Sequence, residues 1–448
     1  MNKLYLMLVS AVAVLCLLVP EPQAFAEGSA TLGANTQSYV PSDPKCAAGL
    51  ATYHSDNSGG GFDGFVYSDN PPSVLSPVNE RLYVHIKDHT KEDIYLGFLA
   101  NYDGNAYFRV MAPDGTVACG PFDMSISGFF ESLNGGIDNV AEAYAGPEQI
   151  VGASGYDAAF CNPTMNGDYW IEINANDPNT KSNVALDVSL FDVTVHGERC
   201  DGSTGIINGR LYSYTWAFSN LGFANPFCGE LFAYSTADSI VTAIRAPADE
   251  AAGLGFRPFR WTASFNATGT TNTGTAADDL QSVHDANSTG PLYPIFLSDP
   301  DPCVWESGTP GEVIDIAINQ DCGQSDTEIC FTSNRAGQFE IVIDLNGVEG
   351  YQPNTEDVIF FVSVPTANTQ FCQIWDGIDG LGNPVTSGTI TIITVGLAGG
   401  LAHFPVYDAE FNDLGFQVRT VRPTGISDPE MLWDNRPLYT AGENACGA

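Results

Sequence analysis

Six histidines, at positions 54, 85, 89, 196, 284 and 403, are the first place to look for acid–base or metal chemistry, because imidazole titrates near neutral pH. His85 and His89 stand four residues apart, a spacing that brings two ligands to one face of a helix. The run around them reads as a strand instead, and extended backbone would hold the pair about 13 Å apart. No G-x-S-x-G turn presents an activated serine, since Gly152-Ala153-Ser154-Gly155 lacks the frame. The phosphate-cradling P-loop and dinucleotide glycine patterns are missing too. The 54 Asp and Glu residues allow so many carboxylate pairs that none is singled out for glycoside hydrolysis, and a solvated acidic surface accounts for them. Hard oxygen donors are better placed for calcium: Asp299 with Asp301, and Asp344 with Asn346, lie two residues apart at strand ends. Neither pair has the ligand number of an EF-hand loop, and plain Asx turns explain both. Apart from such a structural Ca²⁺, no cofactor is expected. Tyr212, Tyr214, Trp216, Trp261 and Tyr293 offer ring faces that suit stacking on a sugar, or else the packing of a core.

The elements that must position these residues are strands. Leu82, Val84 and Ile86 alternate with Tyr83, His85 and Lys87, then a polar HTKED turn leads to Ile94, Leu96 and Phe98, which predicts a β-hairpin. The same two-residue period recurs at Tyr169-Ile171-Ile173, Leu186-Val188-Leu190, Phe339-Ile341-Ile343-Leu345 and Val358-Phe360-Val362-Val364. Forty-six glycines and 27 prolines punctuate these runs, so the fold class is all-β, built of antiparallel sandwiches. Short helices are expected only near 139–146 and 276–285. Polar clusters at 198–206 and 299–312 divide the chain into three tandem modules, 27–198, 199–304 and 305–448, with 264–290 as a long polar loop or strand pair.

Residues 1–26 read as a secretory signal peptide: Lys3 is the basic n-region, Leu4 to Val19 the apolar run, and Ala24-Phe25-Ala26 the cleavage site. The mature chain then starts at Glu27, and the apolar run is too short to span a bilayer. Without Cys16 it keeps ten cysteines, at 46, 119, 161, 200, 228, 303, 322, 330, 372 and 446, an even number that favours disulfides outside the cell. Cys322 and Cys330, eight apart, are the expected local staple. No C-x-x-C pair suggests zinc. With 16 Lys and Arg the formal net charge is −38, which excludes nucleic acid and disfavours anionic membranes as partners.

From 337 onward the run GQFEIVIDLNGVEGYQPNTEDVIFFVSV, then IWDGIDGLGNPVTSG, HFPVYDAEFNDLGFQVRTVRP and MLWDN, resembles the Ig-like segment of large exported surface proteins of gliding bacteria that use type IX secretion. Its WDGIDGLG core is also similar to the Ig-like domain of flagellar hook-capping proteins. The resemblance implies that Trp375 closes a sandwich core at a strand end, that Asp376, Gly377, Asp379, Gly380 and Gly382 shape a turn, and that Gly388 opens the next strand. A dense Asp/Gly cluster between alternating runs reads independently as a hairpin turn. Weaker matches upstream, such as GRLYSYTWAF and FRVMAPDGTV, extend the likeness over most of 65–435. The pattern carries no catalytic residues, and Ile378 departs from the polar residue usual in the turn. Proteins of this kind are usually far longer, with repeat arrays and a sorting domain.

These readings converge on a non-enzymatic secreted or cell-surface protein, a scaffold or adhesin whose partners are other surface components, polysaccharide or copies of itself. A carbohydrate-binding module is the alternative, and a divergent secreted hydrolase the third.

Overall fold

The computed structural model describes residues 27–33, 49–52, 81–101, 104–126, 136–175, 186–219, 226–227, 229–236, 239–249, 254–257, 260–264, 293–309, 311–320, 326–348, 350–352, 354–386, 391–397, 406–407, 411–424 and 428–429. The expected signal peptide, the 276–285 helix and nearly all of the 264–290 segment lie outside them. The chain is nearly all β, in several antiparallel sheets.

Two large sheets face each other. The ten-stranded one runs Val406–Tyr407, Arg260–Ser264, Thr215–Ser219, Gly49–Thr52, Leu186–Glu198, Asp93–Asn101, Ser125–Ile126, with three short strands off that path. The nine-stranded one runs Gln417–Arg422, Ile240–Arg245, Glu230–Ser235, Ile295–Phe296, Leu211–Ser213, Leu82–Ile86, Gly167–Ala175, Ala106–Met111, Val117–Asp123. Their inner faces supply one continuous core, in which Val84, Phe108 and Ile171 of one sheet meet Leu96, Phe98, Phe191 and Phe218 of the other. The period-two alternation anticipated Val84, Ile171, Leu96 and Phe98, because successive strand side chains point to opposite faces. Leu190, read with Leu186 and Val188, lies outside instead, because a bulge between Val188 and Leu190 turns Phe191 to the core.

Pairing differs from expectation in two places. Leu82–Ile86 and Asp93–Asn101 do not form a hairpin: the first pairs with Gly167–Ala175, the second with Leu186–Glu198, and the turn between them crosses from one sheet to the other. Alternation marks which side chains point inward, and both strands satisfy it from opposite sides of the same core. The boundary at 198/199 separates no sheets. Its polar run is the turn of a hairpin in which Glu198 pairs with Thr204, and Asp201 Oδ1 accepts from Ser203 N at 2.8 Å. Strands from both sides of that boundary share both sheets, and Val406–Tyr407 and Gln417–Arg422 return from the expected third module to join them.

Residues 313–397 form a smaller sandwich of two three-stranded sheets, Val313–Gln320, Thr327–Ser333, Gln370–Trp375 and Val358–Val364, Gly337–Asp344, Ile392–Leu397. Ile329, Phe331, Phe339, Ile341, Ile343 and Trp375 are its core. Cys119–Cys161 staples the two large sheets, Cys200–Cys303 ties the hairpin turn to the segment after Leu297, and Cys330–Cys372 crosses adjacent strands of the small sandwich. The expected Cys322–Cys330 staple is therefore corrected: in-register pairing puts Cys372 directly opposite Cys330. Cys322 lies outside the described residues.

On the outer face of the ten-stranded sheet, the short helices Val140–Ala145 and Glu148–Val151 and the segment after them cover Leu99 and Leu190 with Tyr144 and Tyr156. Asn139 caps the first helix, as its side chain accepts from Glu142 N. Asp192 is wholly buried beneath them, and its Oδ2 accepts from Tyr156 Oη at 2.5 Å and Thr194 Oγ1 at 3.0 Å. Burial pushes its carboxyl up to about 8. Between the ordinary value of 3.8 and that value the folded protein holds a proton that the unfolded chain releases, so Asp192 erodes stability as pH rises from about 4 through about 8. Asp192→Asn should flatten this decline, its urea midpoint gaining on wild type from pH 5 to pH 9; a constant offset would show that Asp192 does not titrate in that range.

Candidate functional site

The outer face of the nine-stranded sheet is built of aromatic rings. In-register pairing aligns Tyr83 with Trp170 and with Tyr212, Tyr212 with Phe296, and Phe296 with Phe232. Cross-strand aromatic pairs of this kind stabilise a sheet and flatten its face into a platform. Tyr83 and Tyr212 stack at 5.1 Å, and Tyr214 meets both edge-on. At one end Arg81 lies 4.0 Å over the Trp170 ring, and Glu172 accepts from Trp170 Nε1 and from Arg109 Nε.

Two polar groups stand on the same face. His85 and Asp168 are register partners, with Nδ1 and Oδ1 2.7 Å apart. Burial, and then the Asp168 charge, raise the hydroxyls of Tyr212 and Tyr214, while burial pushes Tyr83 up to about 12. All three phenols therefore stay protonated at neutral pH and can act as hydrogen-bond donors. His89 accepts no share in this group; it bonds Asn166 from the neighbouring turn.

The platform is crossed by a strap, residues 299–308. Trp305 packs edge-on against Phe296, Tyr212 and His85, at 4.6, 5.6 and 5.3 Å. Three anchors hold it: the Cys200–Cys303 disulfide, Arg422 bonded to Asp299, Pro300 and Trp305, and Asp301 bonded to Arg210. Arg210 is the centre of a buried polar knot. Its Nε donates to Asp301 Oδ2 at 2.7 Å, Nη2 and Nη1 to the two oxygens of Glu92 at 3.0 and 3.2 Å, and Nη1 also to the His85 carbonyl. Glu27, equally buried, accepts from the backbone N–H groups of Gly209, Arg210 and Leu211. Gly209 adopts φ +74° where a Cβ would collide with the strap backbone at Asp299 and Asp301.

The predicted site residues fall into three groups. Trp216 is fully buried, donating Nε1 to the Ile295 carbonyl, and Tyr212 and Tyr293 are buried as well. Of the two readings of these rings, sugar stacking or core packing, all three take the second, Tyr212 and Trp216 in strands and Tyr293 in the bend before Ile295–Phe296. Tyr214 keeps a half-buried ring on the platform, and Trp261 lies in a strand opposite Phe218. The calcium candidates are engaged by protein groups. Asp299 pairs with Arg422 and Asp301 with Arg210, while Asp344 accepts from Gly347 N and Asn346 bonds Val348 N, Gln352, Thr355 and Asp357. Two sets of sulfur and carboxylate atoms lie close enough to share an ion, Cys200–Asp301–Cys303 and Glu328–Cys330–Cys372, but their sulfurs are disulfide sulfurs and offer no thiolate. The turn after Trp375 is a built element. Asp376 accepts from Ile378 N, Asp379 from Leu381 N and Asn383 N, Trp375 Nε1 donates to the Ile378 carbonyl, and Gly377 and Gly382 have φ of 75° and 85°. Gly380 leaves no room for a Cβ against the carbonyls of Thr355 and Asp357. Gly388 lies outside the described residues. His85, Asp168 and Trp305 escaped the sequence reading as a group; the only signal was a histidine on the outward side of an aromatic strand.

The chain matches no known protein-family model and no curated protein. Among the described residues no helix is long and apolar enough to cross a membrane.

Removing the guanidinium tests the knot. Arg210→Met leaves Glu92 and Asp301 buried without their cation and should cost about 3–5 kcal/mol, read as a fall in the urea midpoint. A change under about 1 kcal/mol, the worth of an exposed pair, would mean that the knot is solvated.

Proposed function

We propose that this chain is a non-enzymatic exported surface protein, a scaffold or adhesin made of rigid β-sandwich units. The observation that carries this reading is the distribution of covalent and ionic ties. One disulfide joins the large sheets, one fastens the strap and one links adjacent strands within a sheet of the small sandwich, a construction suited to an oxidising exterior. The signal-like segment 1–26 and the net charge of −38 point the same way. The likeness of 337–435 to Ig-like segments of type IX-exported surface proteins supplies the role, docking and display, through sheet edges and loops. Such a protein would meet other surface components, polysaccharide or its own copies.

Carbohydrate binding is a second reading, favoured by one feature: Tyr214, Trp305, His85 and Asp168 form a rim of rings and hydrogen-bonding groups on one sheet face. Apolar ring faces beside a carboxylate and an imidazole suit a sugar's C–H faces and hydroxyls.

The two readings separate in one set of measurements. Amino-terminal analysis of the exported protein should find Glu27 first; a chain retained inside the cell and starting at Met1 would defeat the surface role. Retention on immobilised polysaccharides should be nil for a scaffold. If retention is seen and Tyr214→Ala abolishes it without moving the melting temperature, the glycan reading replaces the scaffold reading.

A further inference from the structure

The small sandwich has an open side. Its strand Val313–Gln320 is the edge of its sheet and pairs only with Thr327–Ser333 among the described residues. Register places Ile316 opposite Phe331 and Ile318 opposite Ile329, both wholly interior residues, so the two isoleucines point to the core side of the sheet. Yet Ile316 is 43% and Ile318 53% exposed, and Ile314, at a bulge beside them, is 59% exposed. Core-facing β-branched residues that remain in water on an edge strand mark a place where one more strand would both complete the ladder and cover the core. Beyond the bulge at its start and the single charge of Asp315, the edge carries no further protection: over eight residues, VIDIAINQ, it has no proline and no lysine.

Charge selects the occupant. The opposite face of this edge presents Asp315 and Asn319, with Glu328 across the ladder and Glu312 just before the strand, all exposed. A second copy of this chain brings another −38 and sets like charges against one another, which is destabilising for directly opposed cross-strand pairs. From this we propose that the edge Val313–Gln320 takes up an extended strand from a different protein, one that alternates β-branched apolar residues, covering Ile316 and Ile318, with Lys or Arg facing Asp315 and Glu328. Main-chain hydrogen bonds supply affinity in such strand addition, and the alternating side chains supply selectivity. The proposal deepens the docking role put forward above and rests on it for the partner's location. An exported chain that ignores the strand loses this site alone, whereas strand uptake by a chain retained in the cell defeats the export reading alone.

The test uses the full chain and a labelled nine-residue peptide, Lys-Val-Lys-Val-Thr-Val-Lys-Val-Lys, followed by fluorescence anisotropy. A control of equal charge carries Pro for the central Thr and cannot complete the ladder. The alternating peptide should bind at least about ten-fold more tightly than the Pro control, a difference of 1.4 kcal/mol. The double variant Ile316→Asn with Ile318→Asn changes two exposed residues and should lose about ten-fold in affinity, again 1.4 kcal/mol, while its melting temperature stays put. Equal binding of the two peptides would show general attraction to an acidic surface and overturn the proposal. Equal binding of a peptide with Glu for Lys would overturn the charge assignment. Concentration-dependent dimerisation that the double variant abolishes would assign the edge to a second copy and overturn the choice of partner.

Discussion

One guanidinium, in the closed interior at the edge of the main core, organises the large sandwich. Arg210 is 1% exposed, and a cation so buried persists only where its lost hydration is replaced by opposite charge and by acceptors at hydrogen-bond distance. Glu92 gives a bidentate partner, Asp301 a second carboxylate, and the His85 carbonyl a neutral acceptor. Glu92 and His85 flank one turn, Asp301 lies in the strap and Arg210 in a third stretch, so satisfying the charge fixes three backbones relative to one another. Glu27 adds a fourth. Its carboxylate accepts the N–H groups of 209–211, while its own backbone pairs with Val193 of the other large sheet.

The outer aromatic platform follows from that knot. The strand carrying Tyr83 and His85 is adjacent to the strand that starts at Leu211, and the knot sits at the end where both begin or turn. Asp301, pulled toward Arg210, starts the turn that brings Trp305 over Tyr212 and Phe296, and Val304 N and Trp305 N both return to the Asp301 carbonyl. Apolar burial then does the larger share of the work, since rings of this size bury far more area than the strap's polar bonds could stabilise alone. The electrostatics choose the geometry and the rings hold it.

Much of this order was legible in the sequence, and the remainder was not, for a definite reason. Period-two patterning identified strands and inward residues because it reflects a local property, the alternation of side chains across a pleated backbone. The Asp376–Gly382 turn was equally legible, since short-range Asx bonds and positive φ angles depend only on neighbours in sequence. Partner choice is not local. Leu82–Ile86 and Asp93–Asn101 satisfy the same pattern whether they pair with each other or sit in opposite sheets, and Cys330 could not be assigned to Cys372 before the register of Thr327–Ser333 against Gln370–Trp375 was known. The site residues split along the same line. The aromatics near 212–216 were visible as a group, but Tyr214, in the bend after Leu211–Ser213, stays on the outer platform, while Trp216, in the next strand, enters the core. Arg210 and Glu27 were hidden because nothing near them in sequence announces that they will be buried.

The charge inventory bears on how the surface can be used. Among the described residues Arg109, Arg210, Arg257, Arg419 and Arg422 each pair with a carboxylate, so these cations are committed to internal or cross-strand contacts. With 54 acidic groups against 16 basic ones, the carboxylates left over dominate what a partner meets. Self-repulsion of this kind keeps copies apart in dilute salt and weakens as the screening length falls to about 8 Å at physiological ionic strength. Long-range charge therefore decides which molecules approach, and short-range order decides which remain. An edge strand whose core-facing isoleucines are still in water belongs to the second step, and an anionic surround lets it stay exposed without pairing to itself.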